Sequence, residues 1–256
     1  MERFRTTYIN GRTQEMRHTP VSEEIPLTIE VNGEELATLL CSPTDLTALA
    51  VGFLFSSGIV NNSKSIGKVV IDRERWKAST SIDRPAVPLK MLSRRVYTSG
   101  CGKGIIYYNP LDLMLRTARL PIGSPLDALQ IAESMKAFLR ISTEHRETRG
   151  VHSCALASSD GILFYKDDIG RHNALDKIIG EALLNSVLLE DKVLLSSGRV
   201  SSEIVSKVLR SRIPVVVSAG APTNQAVKLS QESNLTLICL ARGPRMIIFS
   251  GEERIR

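Results

Sequence analysis

The residues with chemical potential in this chain are four cysteines and several groups of Ser, Asp, His and Arg that stand beside glycines. Cys101 is the most exceptional of them. It lies in Ser99-Gly100-Cys101-Gly102-Lys103-Gly104, where alternate glycines leave no side-chain wall beside the sulfur and let the backbone move. The charge of Lys103 favours thiolate over thiol. Such a group suits a nucleophile or a sulfur carrier that must meet two partners in turn. Its thiolate attacks a sulfur donor, holds the sulfur as a persulfide, and releases the terminal sulfur elsewhere. An incidental loop cysteine is the competing reading. Cys41, Cys154 and Cys239 sit inside apolar runs and read as buried small hydrophobes. His152-Ser153-Cys154 offers a metal-type pair, short of the three or four ligands that zinc requires, so no metal site is expected.

Asp167-Asp168-Ile-Gly-Arg171-His172-Asn173-Ala-Leu-Asp176-Lys177 is the densest polar cluster. It leaves a strand and enters a helix, where free N–H groups and the helix dipole attract anions. Asp168, Arg171, His172 and Asn173 together can hold a phosphate, a purine edge or a thiol partner; a network of caps and buried ion pairs explains the same residues equally well. Leu195-Ser-Ser-Gly198-Arg199-Val-Ser-Ser202, which matches neither a Walker nor a dinucleotide fingerprint, and Ser218-Ala-Gly-Ala-Pro-Thr223 are two further strand-to-helix turns. All three turns follow strands, on the side where open α/β sheets bind ligands. Leu240-Ala241-Arg242-Gly243-Pro244-Arg245 ends the last strong strand with a forced turn flanked by arginines, whose forks suit phosphate oxygens; a plain exposed hairpin is the alternative.

These groups need a scaffold, and the composition supplies one. In 256 residues, 43% are apolar and 23% charged, the composition of a globular protein with a sizeable core. That excludes wholesale disorder, collagen and coiled coil. The net charge of +6 is spread along the chain, without the basic stripe of a dedicated nucleic-acid binder. No apolar run approaches the ~20 residues of a membrane span, and the first residues lack a signal-peptide core, which points to the cytoplasm.

Local patterns predict the elements. The first ~20 residues read as a mobile arm or an edge strand. Runs at 25–31 and 35–41 flank Asn32-Gly33, a hairpin signal, and Ser42-Pro-Thr-Asp45 opens a helix that Gly58 stops near Ser57. Two weak strands are expected over 66–82. Residues 84–104 have no clear period. Ser124-Pro125-Leu126-Asp127 opens a helix to about Ile141, with Ser124 as its cap. Strands at 151–158 and 162–166 surround Asp160-Gly161, and a helix spans 172–185. Strands at 193–195, 215–217 and 235–240 then alternate with helices at 201–211 and 223–232, before a last strand at 246–249. This alternation argues for parallel strands lying side by side under helices.

Taken together, Gly52-Phe-Leu-Phe-Ser-Ser-Gly-Ile59, Ser99-Gly-Cys-Gly102, Val151-His-Ser153, Asp168-Ile-Gly-Arg-His-Asn-Ala-Leu-Asp-Lys177, Ser196-Ser-Gly-Arg199, Ser233-Asn-Leu-Thr-Leu237 and Gly243-Pro-Arg245 resemble the formate dehydrogenase accessory sulfurtransferase (FdhD) family over nearly the whole chain. The resemblance implies an α/β, cytidine deaminase-like fold: a mixed sheet sandwiched by helices, with an N-terminal subregion that contains a β-hairpin, and a homodimer. Residues 1–120, with the cysteine loop at about 84–104, would form one region and 121–256 the cofactor-binding core, unless the chain is one continuous domain. It further implies a sulfurtransferase that accepts sulfur from a cysteine desulfurase as a persulfide on Cys101. The acceptor would be the bis-molybdopterin guanine dinucleotide form of the molybdenum cofactor, and formate dehydrogenase the client. Leu240, Ala241, Arg242, Gly243, Pro244 and Arg245 match the stretch that binds this cofactor. Many members carry Cys-Gly-x-Cys in the loop; here the last position is Gly104, so a two-cysteine relay is excluded and a single-cysteine carrier is left. A non-catalytic chaperone for the cofactor is the alternative. No zinc is expected, because the ligand spacing of the deaminases is missing.

Overall fold

The computed structural model describes residues 1–83, 85–86, 95–97, 105–107, 119–123 and 125–256. The short apolar runs of the second half assemble into one six-stranded sheet. Its strands are β9 (His152–Ser158), β10 (Gly161–Asp168), β11 (Val193–Ser196), β12 (Val215–Ser218), β13 (Thr236–Arg242) and β14 (Arg245–Ser250), in the order β10-β9-β11-β12-β13-β14. β11, β12 and β13 are parallel, whereas β9, β10 and β14 complete the sheet antiparallel to their neighbours. The central strands read as continuous apolar runs because both faces are covered. Leu156, Leu194, Val216 and Leu237 point to one side, onto α4 (Arg171–Leu184) and α5 (Ser202–Arg210), with α6 (Asn224–Glu232) beyond. Ala155, Leu195, Val217 and Ile238 point to the other, onto Ile131, Met135 and Phe138 of α2 (Ala128–Ile141). Each such side chain contributes about 1.5–3 kcal/mol by leaving water.

The first half forms a smaller sheet in the order β4-β3-β6-β5, from β3 (Ile25–Val31), β4 (Glu34–Cys41), β5 (Val70–Asp72) and β6 (Lys77–Thr80). The β3–β4 turn has positive φ at both Asn32 (53°) and Gly33 (82°), as a two-residue type I′ loop requires. Alternate residues Ile25, Leu27, Ile29 and Val31 are buried, and they meet Leu49, Phe53 and Leu54 of α1 (Leu46–Ser56). Gly58, at φ 72°, ends that helix as expected. The other side of α1 crosses α4 backbone to backbone. A Cβ added to Gly52 would lie 1.8 Å from the Asp176 carbonyl oxygen, and one on Gly180 would lie 1.9 Å from that of Ala48.

Two local differences from the sequence expectations have physical causes. The N-terminal stretch is neither a single arm nor an edge strand. It forms a two-stranded hairpin of β1 (Glu2–Asn10) and β2 (Thr13–Val21), turning at Gly11-Arg12 with Gly11 at φ 59°. Asn10 is the last paired residue of β1, so the loop is Gly11-Arg12 rather than an Asn-Gly pair, and the flanking residues are too polar to stand out as strands. Asp127 caps α2, accepting the Leu129 N–H at 2.7 Å, whereas the expected cap, Ser124, lies outside the described residues. Near the C-terminus, Arg254 is buried, and its guanidinium donates to the carbonyls of Asn234 and Pro121 and to the Thr236 hydroxyl. A short helix, α3 (Thr143–Thr148), links α2 to β9, and the paired strands β7 (Arg95–Tyr97) and β8 (Ile105–Tyr107) flank the Cys101 segment in sequence.

Candidate functional site at the carboxyl edge of the sheet

Strand directions gather the chemistry-bearing turns on one edge. The parallel strands β11, β12 and β13 end there, β10 ends there, and the antiparallel β9 and β14 begin there. Asp167 and Asp168, His152 and Ser153, residues 196–199, residues 218–221 and residues 240–245 thus line the same side.

The distinctive run at 168–177 proves largely structural. Asp168 and Lys177 form an ion pair at 2.7 Å, both side chains at 0% exposure. Asp168 also accepts the N–H groups of Ser42 and Gly170 and the amide of Asn173, which in turn donates to the Leu40 carbonyl. Lys177 reaches the carbonyls of Ser42 and Asp167 and the Thr44 hydroxyl. These bonds fix the chain leaving β4 against the β10–α4 turn. Asp176 forms a second buried pair with Lys207 of α5 at 2.6 Å and accepts from the Ser56 hydroxyl of α1. Burial holds its carboxyl above the usual range, against the pull of Lys207. Removing one member of either pair would strand a charge in the interior, so these side chains hold the helices rather than a ligand. The Lys207 and Ser56 contributions were not legible in the sequence, because they lie on different helices.

Arg171 and His172, at the start of α4, face the other turns instead. A Cβ added to Gly198 would meet Arg171 Cβ at 3.1 Å and His152 Nδ1 at 3.4 Å. Glycine at this position lets the β11 turn lie directly on both side chains. The next turn is equally close: a Gly220 Cβ would lie 2.5 Å from the Gly198 carbonyl oxygen. Ser218 donates to that same oxygen at 2.6 Å, and the Gly198 and Gly220 N–H groups are held by the Ser196 and Ser218 hydroxyls. The serines of these two turns are therefore committed to building them. His172 Nε2 lies 3.4 Å from Glu203 Oε2 on α5, a neighbour that the sequence reading did not single out. Burial first, then the charges of Lys207, Arg171, His152 and Arg199, push the His172 imidazole down to about 3. His152 is lowered too, by burial and then by Arg171 and His145. Both rings are neutral at physiological pH, among the cations Arg171, Arg199 and Lys207 and the carboxylates of Glu203 and Asp168.

The third turn differs from the other two. β13 ends in a bulge between Cys239 and Arg242, where Leu240 takes φ 55° and its N–H bonds to the Gly220 carbonyl. Ala241 is buried. Arg242, Gly243, Pro244 and Arg245 are exposed, and Arg242 stands directly opposite Arg245 in the β13–β14 register. Two exposed arginines paired across a tight turn can take a phosphate or pyrophosphate through forked bonds. Cys101, Lys103 and Gly104 lie outside the described residues. The other three cysteines are buried, and burial pushes each of their thiols up to about 12.

A profile of the FdhD/NarQ family matches residues 22–256. The chain is 38% identical to the sulfur carrier protein FdhD of Geobacillus kaustophilus, over 97% of this chain and 94% of that protein. It is 39% identical to the protein of the same name from Listeria monocytogenes, over 96% and 94%, and 34% identical to that of Bacillus subtilis, over 97% and 95%. A crystal structure described as a formate dehydrogenase accessory protein from Desulfotalea psychrophila superposes with a TM-score of 0.81 at 25% identity, covering 100% of this chain and 99% of that one. A family match that takes in both sheets and every turn of the carboxyl edge makes this chain a member of the FdhD/NarQ family.

Proposed function

We propose that this protein is a cytoplasmic sulfur carrier serving formate dehydrogenase, and that Cys101 holds the sulfur. Its thiolate attacks the outer sulfur of a desulfurase persulfide, the desulfurase thiolate leaves, and a persulfide remains on Cys101. The acceptor is the bis-molybdopterin guanine dinucleotide molybdenum cofactor, a substrate here, with its phosphates on Arg242 and Arg245 and the rest of the residue 240–245 turn beside it. One observation carries the assignment to Cys101. The other three cysteines are enclosed and kept as protonated thiols, the opposite of what an exchanging sulfur needs.

In the same reading, the helix-covered mixed sheet is of the cytidine deaminase-like kind. The chain divides near residue 120 into two regions joined through α1 and α4. Among the described residues no helix is long and apolar enough to cross a membrane. The test is to incubate the protein with a cysteine desulfurase and cysteine and to weigh it intact. A gain of one sulfur atom, released by reductant and lost in Cys101→Ala, is expected. No gain on the wild-type protein would refute the carrier role. Support of formate dehydrogenase by Cys101→Ala at the wild-type level would indicate a chaperone without sulfur chemistry.

A further inference from the structure

Leu184 and Leu188 are 52% and 77% exposed, where leucines of a folded chain are usually covered. They are held there by the fold. Ser186 takes φ 55° just past the end of α4, and the N–H groups of Ser186 and Val187 bond back to the carbonyls of Leu183 and Ala182. Both leucines thereby stand at a groove of about 560 Å³, which Val51 of α1, Leu183, Val187, Ile66 and Val69 also line. The 66–69 segment is fixed as well: the Gly67 N–H bonds to the Ser81 carbonyl, and the Gly67 carbonyl accepts the Thr80 hydroxyl. A groove already formed spares a partner the cost of ordering it. Its charge is of one sign. Lys64 and Lys68 are exposed on it, and no carboxylate stands among the described lining residues. Glu181 and Glu190, the acids closest along the chain to its leucines, are engaged by Lys166 and Arg212. Among the described residues neither Lys64 nor Lys68 has an ion-pair partner.

We infer that this groove docks a helix of another protein, one whose apolar ridge is flanked by Asp or Glu. The ridge fills the groove between α1 and the end of α4, and the acids pair with Lys64 and Lys68. Charge complementarity selects the partner: a basic helix would meet two unpaired cations, an acidic one would neutralise them. Leucines beside lysines also suit an anionic membrane, but a bilayer surface is flat and this apolar surface is recessed. A second copy is disfavoured, since a two-fold contact of this face would set the two lysines of one copy against those of the other. The inference is independent of the sulfur chemistry.

Fluorescence anisotropy of labelled synthetic helices on the full chain tests it. The probe is a peptide of about five helical turns with leucine at every third or fourth position and glutamates flanking that stripe. One control carries lysine in place of each glutamate, and another has the same residues with the stripe scrambled. The acidic amphipathic peptide is expected to bind at least tenfold tighter than either control. Lys64→Glu with Lys68→Glu should weaken its binding at least tenfold and turn the preference toward the lysine peptide. Leu188→Asp should also weaken it at least tenfold. All three altered residues are exposed, so circular dichroism and melting should match wild type. No binding by the wild-type protein, equal binding of the scrambled peptide, or an affinity unmoved by the lysine pair would each overturn the inference. So would sedimentation with phosphatidylglycerol vesicles in place of peptide binding, since the face would then meet a membrane. A dimeric wild type that Leu188→Asp turns into a monomer would overturn it too, since the groove would then be filled by a second copy.

Discussion

The β10–α4 connection and the β13–β14 turn stand on the same edge of the same sheet, and they use charge in opposite ways. In the first, Asp168, Asp176 and Lys177 turn inward and are matched within the protein, Asp168 and Lys177 to each other and Asp176 to Lys207. In the second, Arg242 and Arg245 sit side by side and exposed, and the fold gives them like charge for a neighbour. The difference separates a charge that builds the protein from one available to a ligand. It also shows that the charged side chains of the most distinctive run serve mainly a buried network.

The sharpest way to break this comparison is Lys177→Met. It leaves Asp168 buried without its cation and should cost about 3–5 kcal/mol, measured by urea unfolding. A loss no larger than that of a typical surface change would mean that the pair is not a structural clamp. Gly180→Ala comes next, because its Cβ collides with the Ala48 carbonyl; about 1–3 kcal/mol of overpacking is expected, with α1 and α4 forced apart.

A pH series probes the same edge more gently. The folded His172 is depressed to about 3, below its unfolded value near 6.5, so between those values the unfolded state binds the extra proton. Stability should therefore be fully present above about 6.5 and fall as the pH drops toward 3, by up to about 1.4 kcal/mol per pH unit. His172→Gln should flatten this slope, and an unchanged slope would show that the imidazole is not held neutral. The smallest effect on folding is expected at the exposed turn. Arg242→Ala and Arg245→Ala should leave the melting temperature unchanged, while each weakens binding of a guanosine diphosphate probe roughly tenfold by calorimetry. Destabilisation on the scale of Lys177→Met would erase the distinction between the two regions.

Much of this architecture was readable locally. Asn32-Gly33 specified its turn because both positions need positive φ, and residues 193–240 declared a parallel sheet because short apolar strands alternate with helices under their own caps. Ser201 and Thr223 are those caps in the folded chain. The arginine turn at 242–245 was equally plain, since Gly-Pro between arginines leaves few alternatives. The N-terminal hairpin escaped because its strands bury almost nothing, and burial is what writes an alternating pattern into a strand. The Ser56–Asp176–Lys207 group escaped because its members are 120 and 31 residues apart along the chain, joined only when α1, α4 and α5 pack.

By itself, then, the sequence determined most of the elements from residue 25 onward, several of their turns and the burial of three cysteines, all set by near-neighbour sterics and apolar periodicity. Only the tertiary structure decided which polar residues of the 168–177 run face inward. A side chain's role there depends on whether a counter-charge from a distant segment arrives within hydrogen-bond reach, and no local pattern records that.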